Sequence, residues 1–308
     1  MSFTSKIKEE ITKVPKIKAE KISELSAIIR NNGAIGDTIK ITTENDSLAR
    51  YLYKIIKEIY DVSVKVMVRK GYNFHKNYIY LLEIKKNINE ILDDLGILKE
   101  QNYKNIPPEY ILGDEEMIGA YLSGLFLACG SINDPKTSRY HLEFLVDEEE
   151  YADFLSQLLS RLHLGSKVLK RENKYMIYIK EAEKIGDYLR HIKAVKAVLY
   201  FEEIRIYRSR KNMVNRLNNC EQANVDKMIS TSFMQVQDIE LLKKSGTFDL
   251  LDEKLKEVCI YRLKYKDVSL SELSDIISLE TGNSITKSGL HHRFKKISDL
   301  ASKVRGSI

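Results

Sequence analysis

The sequence predicts an α+β protein: a duplicated αββαββα unit with pseudo-twofold symmetry, followed by an all-α helix-turn-helix domain. Three observations predict it. Gly33 and Gly130 stand 97 residues apart with matching flanks, so that Ile35 pairs with Ile132 and Asp37 with Asp134. Apolar stripes of helical period recur in the same order after each glycine. Toward the C-terminus the strand patterns stop, and a capped helix, a glycine turn and a basic helix follow.

Each copy opens with a helix that ends at its glycine: I-I-R-N-N-G-A-I-G-D (Ile28 to Asp37) and L-F-L-A-C-G-S-I-N-D (Leu125 to Asp134). Leu52, Ile55, Ile56 and Ile59 then give an i, i+3, i+4, i+7 stripe, which Leu155, Leu158, Leu159 and Leu162 repeat. A third pair of stripes sets Ile88, Ile91, Leu92 and Leu95 against Ile185, Tyr188, Leu189 and Ile192. Between helices the period falls to two. Val64, Val66 and Val68 alternate with Lys65, Met67 and Arg69, and N-Y-I-Y-L-L-E-I supplies a partner strand from Asn77. In the second copy Leu142, Phe144 and Val146 alternate with His141, Glu143 and Leu145, and S-K-V-L-K-R pairs with K-Y-M-I-Y-I-K around R-E-N. Lys65 and Arg69, with Lys167, Lys170 and Arg171, are candidate phosphate contacts on these strands.

A cationic run comes next. Arg205, Arg208, Arg210, Lys211 and Arg216 fall in a stretch with no acid from Arg205 to Asn219, a pattern suited to tracking a phosphate backbone. Asn212, Asn215, Asn218 and Asn219 weaken helix and suggest a joint, so the expected domains are 1–99, 100–218 and 219–308. F-D-L-L-D-E-K-L opens the last domain's first helix. Ser269 and Glu272 form a capping box before L-S-D-I-I-S, T-G-N makes a turn, and I-T-K-S-G-L-H-H-R-F-K-K-I gives a basic second helix.

In a helix-turn-helix the second helix enters the major groove of double-stranded DNA with its first residues at base edges. Thr286, Lys287, Ser288, His291 and His292 are the candidate base readers here, with Arg293, Lys295 and Lys296 nearer phosphates and Ser269 in the same contact set. Leu290, Phe294 and Ile297 would hold that helix on its core. The bland alternatives are a tri-helical protein-binding module and a surface histidine pair.

Bulk properties agree. The 308 residues are 43% hydrophobic and 31% charged, with 4 Pro, 14 Gly and a net charge of +6, which fits a globular, helix-leaning chain with a mild basic excess. Cys129, Cys220 and Cys259 are scattered without CxxC or Cys/His spacing, which points to a reducing compartment and no zinc site. The N-terminus is too charged for a signal peptide, and no apolar run reaches the roughly 18 residues of a membrane span. The expectation is a cytoplasmic, nucleoid-associated protein with no membrane partner.

The duplicated order, with a small-residue helix ending in glycine at the head of each half, resembles the LAGLIDADG homing endonucleases. The stretch Leu122 to Gly130 follows their nine-residue motif, and Leu25 to Gly33 is its more worn partner. In that family a metal-binding carboxylate stands just before the final glycine; here those positions are Asn32 and Cys129. A neutral amide and a soft thiol are poor magnesium ligands, so the resemblance implies scaffold without catalytic residues or metal. Asp37 and Asp134 are read as turn carboxylates, with displaced metal ligands as the alternative.

Three segments together resemble one narrower family, WhiA. They are S-E-L-S-A-I-I-R-N-N-G, N-R-L-N-N-C-E-Q-A-N-V-D-K, and S-L-S-E-L-S-D-I-I with I-T-K-S-G-L-H-H-R-F-K-K-I. The resemblance implies DNA binding without cleavage or cofactor, acting in transcription, cell division, chromosome segregation or sporulation. A docking scaffold for a division or transcription protein is the third reading. Oligomeric state is left open, with a monomer compatible.

Overall fold

A computed structural model describes residues 2–70, 78–100 and 102–306. The chain divides into two compact units, Met1–Arg208 and Ser209–Ile308.

The first unit begins with α1 (Phe3–Ile11), which no repeat pattern announces. The first copy follows as α2 (Lys18–Asn32), β1 (Gly33–Ile35), β2 (Ile39–Thr43), α3 (Asp46–Tyr60), β3 (Val64–Lys70), β4 (Tyr78–Ile84) and α4 (Ile88–Asp94). A short hairpin, β5 (Leu98–Lys99) and β6 (Asn102–Tyr103), leads to the second copy. That copy runs α5 (Glu115–Cys129), β7 (Gly130–Ile132), β8 (Leu142–Val146), α6 (Glu149–Arg161), β9 (Lys167–Arg171), β10 (Lys174–Ile179) and α7 (Ala182–His191). The order is αββαββα twice, and the antiparallel sheets β1-β2-β4-β3 and β7-β8-β10-β9 share one topology. Asn77, expected to begin β4, lies outside the described residues.

The helical stripes account for the core. Leu52, Ile55 and Ile56 of α3 and Leu155, Leu158 and Leu159 of α6 are buried, as are Ile91 and Leu92 of α4 and Ile185, Tyr188 and Leu189 of α7. The predicted R-E-N turn is a two-residue hairpin: Arg171 pairs with Lys174, and Glu172 takes a left-handed φ of 55°. The alternation in β3 is only partly expressed. Val64 is buried, but Val66 and Val68 are 44% and 55% exposed on what is an edge strand of the sheet.

The motif helices α2 and α5 meet in a tight seam. A Cβ on Gly124 would run into the Glu24 carbonyl, and Ala27 is the nearest side chain across from it. Ser123 donates to a carboxylate oxygen of Glu24 at 2.7 Å, Lys16 pairs with the same oxygen at 3.1 Å, and Tyr51 donates to the other oxygen. Glu24 is fully buried and the Lys16 side chain nearly so. Sharing one carboxylate among a cation and two hydroxyls is what lets the charge stay inside.

The helix α8 (Val195–Lys244) runs across the division between the units. The asparagine-rich stretch was expected to interrupt it and does not. Each Asn costs only about 0.5 kcal/mol relative to Ala in a helix interior, and extending an existing helix needs no new nucleus. The second unit continues with α9 (Glu253–Lys264), α10 (Leu270–Thr281) and α11 (Lys287–Gly306). α9 starts later than F-D-L-L suggested, because Asp252 caps it by accepting from the Leu255 N–H at 2.8 Å.

Ile239 and Leu242 of α8 join Leu255, Val258, Cys259, Leu273, Ile277, Leu290, Phe294 and Ile297 in this unit's core. Arg262 is buried there too. Its guanidinium donates to the Val268 carbonyl at 2.8 Å and the Tyr265 carbonyl at 3.2 Å, and lies 5.5 Å from the centre of the Phe294 ring.

Candidate nucleic-acid interface

α10 and α11 form the reading module, and local chemistry fixes the turn between them. Ser269 accepts from the Glu272 N–H at 3.2 Å while the Glu272 carboxylate accepts from the Ser269 N–H at 2.8 Å, the expected capping box. α10 ends at Gly282, whose φ of 72° a side chain would resist. Ser278 accepts from the Ile285 N–H at 3.0 Å and so ties the far side of the turn to α10. Thr286 then caps α11, accepting from the Gly289 N–H at 3.1 Å.

Leu290, Phe294, Ile297 and Ala301 anchor α11, at i, i+4, i+7 and i+11. That leaves Lys287, Ser288, His291, His292, Lys295 and Lys296 exposed, with the two histidine rings 6.3 Å apart. Arg293 is turned the other way: it reaches Glu257 of α9 at 3.7 Å and the Lys254 carbonyl at 3.4 Å. The Thr286 hydroxyl accepts in this cap and so shapes the helix start, while its O–H remains able to donate.

The basic run is also divided by the fold. Arg205 is neutralised by Glu202 at 2.7 Å and Glu183 at 3.0 Å, acids that lie outside the acid-free stretch of sequence. Those carboxylates hold the Arg205 pKa above its usual value, chiefly through the hydrogen bond to Glu202. Arg208 donates to the Ser138 carbonyl at 2.8 Å and stacks on Tyr140 with the guanidinium 5.3 Å from the ring centre. Arg210, Lys211 and Arg216 are exposed. Lys211 shares a helix face with Asn215 and Asn218, whereas Arg210 lies with Val214 and Leu217.

On the sheets, register assigns the faces. Lys65 and Arg69 of β3 share the face turned from the core with Lys40 of β2, since Lys65 pairs with Glu83, which pairs with Lys40. Lys167 and Arg171 occupy the corresponding face of the second sheet with Tyr178, which stacks on His141 at 5.7 Å. Lys170 belongs to the opposite face beside Tyr175, its ammonium 5.5 Å from that ring. All three lie on β9 as expected, and the period of two puts Lys170 on the other face from Lys167 and Arg171. Lys40 lies in a short strand that was not read as basic.

The worn motif positions contain no anionic anchor. Asn32 donates to the Thr42 carbonyl at 2.8 Å. Cys129 lies 3.4 Å from the Leu125 carbonyl and 3.9 Å from the Asn31 amide oxygen, and burial pushes its thiol up to about 12, so it is held neutral. Asp134 is a turn carboxylate, accepting from the Lys136 N–H at 2.8 Å and from Tyr200 at 3.0 Å; Asp37 lies in the corresponding turn of the first copy. Among the described residues no group of three His, Cys, Asp or Glu is placed to hold a metal ion, and no helix is long and apolar enough to cross a membrane.

Family models match all three parts of this arrangement. The WhiA N-terminal LAGLIDADG-like domain matches residues 18–98, the WhiA LAGLIDADG-like domain 118–211, and the WhiA C-terminal helix-turn-helix domain 214–301. The probable cell division protein WhiA of Staphylococcus aureus strain JH9 is 41% identical over 99% of this chain and 98% of its own. The chain belongs to the WhiA family. The full-length WhiA crystal structure from Thermatoga maritima has a TM-score of 0.60 at 25% identity, covering 98% of this chain and 99% of that one. A WhiA N-terminal LAGLIDADG domain aligns with 62% of this chain and 90% of its own, at a TM-score of 0.51 and 25% identity.

As a WhiA family member, the chain has two LAGLIDADG-like halves and a C-terminal helix-turn-helix. The helix carrying Lys287, Ser288, His291 and His292 falls inside the matched helix-turn-helix domain.

Proposed function

We propose that this WhiA family member is a sequence-specific regulator that binds double-stranded DNA in cell division and does not cut it. The observation that carries the reading is α11: a helix fixed by Leu290, Phe294 and Ile297 that turns three lysines, two histidines and a serine outward over its first turns. Residues at this end of such a helix meet base edges, while flanking cations meet phosphates. Lys287, Ser288, His291 and His292 read sequence; Lys295, Lys296, Lys211 and Arg216 supply salt-sensitive affinity, with help from Lys65, Arg69, Lys167 and Arg171. In this reading 1–99 and 100–218 are scaffold halves and 219–308 the reading domain, working at the nucleoid in the cytoplasm without a cofactor. The Staphylococcus aureus relative is named a probable cell division protein, which supports the cellular setting.

The test is binding to a duplex selected from a random library, compared with a scrambled duplex. Lys287→Ala with His291→Ala should erode preference for the selected sequence while leaving binding to the scrambled one. Full discrimination by that variant would overturn the assignment of α11. Plasmid cutting with magnesium or manganese, abolished by Asp37→Asn and Asp134→Asn, would overturn the non-cleaving part.

A further inference from the structure

We infer that residues 210–228 of α8 form a self-association seam, in which a second copy of this chain packs antiparallel against the first. Every residue from Arg210 to Lys227 is exposed. Within that stretch Val214, Leu217 and Val225 are 53%, 54% and 43% exposed, and with Met228 they follow helical spacing along one face. Five asparagines (Asn212, Asn215, Asn218, Asn219, Asn224) make it a poor helix former. The helix continues through this stretch as an extension of its anchored ends, yet its apolar stripe packs on nothing among the described residues and is open to a partner.

Charge identifies that partner. Arg210 and Glu221 lie on the same face as Val214 and Leu217, at i−4 and i+7 from Val214, and neither makes an ion pair among the described residues. Consider two copies related by a twofold axis between Asn215 and Arg216. Val214 of each then meets Leu217 of the other, and Arg210 of each meets Glu221 of the other. A parallel pair would set Arg210 on Arg210 and Glu221 on Glu221, like charge on like. The polar face of Lys211, Asn215, Asn218 and Gln222 stays outside the seam. DNA has no apolar surface that fits the stripe, so the inference goes beyond the DNA-binding reading and stands without it.

Sedimentation equilibrium of the full chain without DNA tests this, across a wide concentration range. A monomer–dimer equilibrium is expected, and Leu217→Asp should abolish it. Arg210→Glu and Glu221→Arg should each raise the dissociation constant on the order of tenfold, and the combined R210E/E221R chain should recover the original value. All three substituted positions are exposed, and unchanged melting of each variant confirms that it folds. A chain that stays monomeric throughout, or a double variant no better than the singles, overturns the seam. A monomer that still discriminates DNA sequences would sink only this inference; a dimer that binds no DNA would sink only the other.

Discussion

Gly124 of α5 lies against the backbone carbonyl of Glu24 on α2, with no room between them for a methyl group. The next residue back, Ser123, donates to the Glu24 carboxylate at 2.7 Å, so approach and polar satisfaction depend on each other. Gly124→Ala must push the helices apart and stretch that hydrogen bond. We expect a loss of about 1–3 kcal/mol in denaturant unfolding, the usual cost of overpacking. A variant as stable as the parent would mean that the seam yields to a methyl group without cost.

Arg262 holds the second unit in a comparable way. It is a buried cation with no carboxylate partner among the described residues; backbone carbonyls of Tyr265 and Val268 and the face of Phe294 take its place. Those carbonyls belong to the segment that leads into Ser269, so Arg262 positions the start of α10. Arg262→Met keeps the volume and strands the acceptors. It should cost roughly 2–4 kcal/mol, since each buried unpaired carbonyl loses on the order of 1–3 kcal/mol. Thermal melting should show the loss, with sequence discrimination failing in parallel.

Much of this was legible in the sequence because periodicity reports burial. Leu155, Leu158 and Leu159 repeat Leu52, Ile55 and Ile56, and all six are core. Ser269 and Glu272 announced a helix start that the hydrogen bonds show. What stayed hidden depends on residues far apart in the chain. Nothing near Arg205 says that Glu183 neutralises it, and nothing near Glu24 says that Lys16, Tyr51 and Ser123 share its carboxylate. The asparagines misled for a different reason: weak propensity does not end a helix that is anchored at both ends.

Alkali should destabilise the fold before it breaks the chain. Burial pushes the Cys129 and Cys259 thiols from 9.0, and the Tyr121 hydroxyl from 10.0, up to about 12. Each group therefore holds its proton more tightly when folded. Its stabilising effect is complete below the unfolded value and is lost as pH rises through the folded one. The urea midpoint should fall steadily between about pH 9 and 12, and the C129A/C259A chain should show a shallower fall. A midpoint flat across that window would show that these groups titrate freely in the native state.

Lys211 and Arg216 offer the sharpest electrostatic comparison, because the fold leaves them exposed while it ties up Arg205 and Arg293. A cation that meets a phosphate releases a counterion, which contributes about 0.9 to the slope of log affinity against log salt. Lys211→Ala with Arg216→Ala should lower that slope by about 2, one contact for each side chain, and weaken selected and scrambled duplexes by the same factor. Arg205→Ala should leave the slope unchanged, since its charge already belongs to Glu202 and Glu183. Fluorescence anisotropy titrations at several salt concentrations measure both quantities at once. If Arg205→Ala lowers the slope as much as the double variant does, the ion pairs open on DNA and the whole basic run tracks the backbone. If neither variant changes it, phosphate contact lies elsewhere, and the open faces of the two sheets become the surface to substitute next.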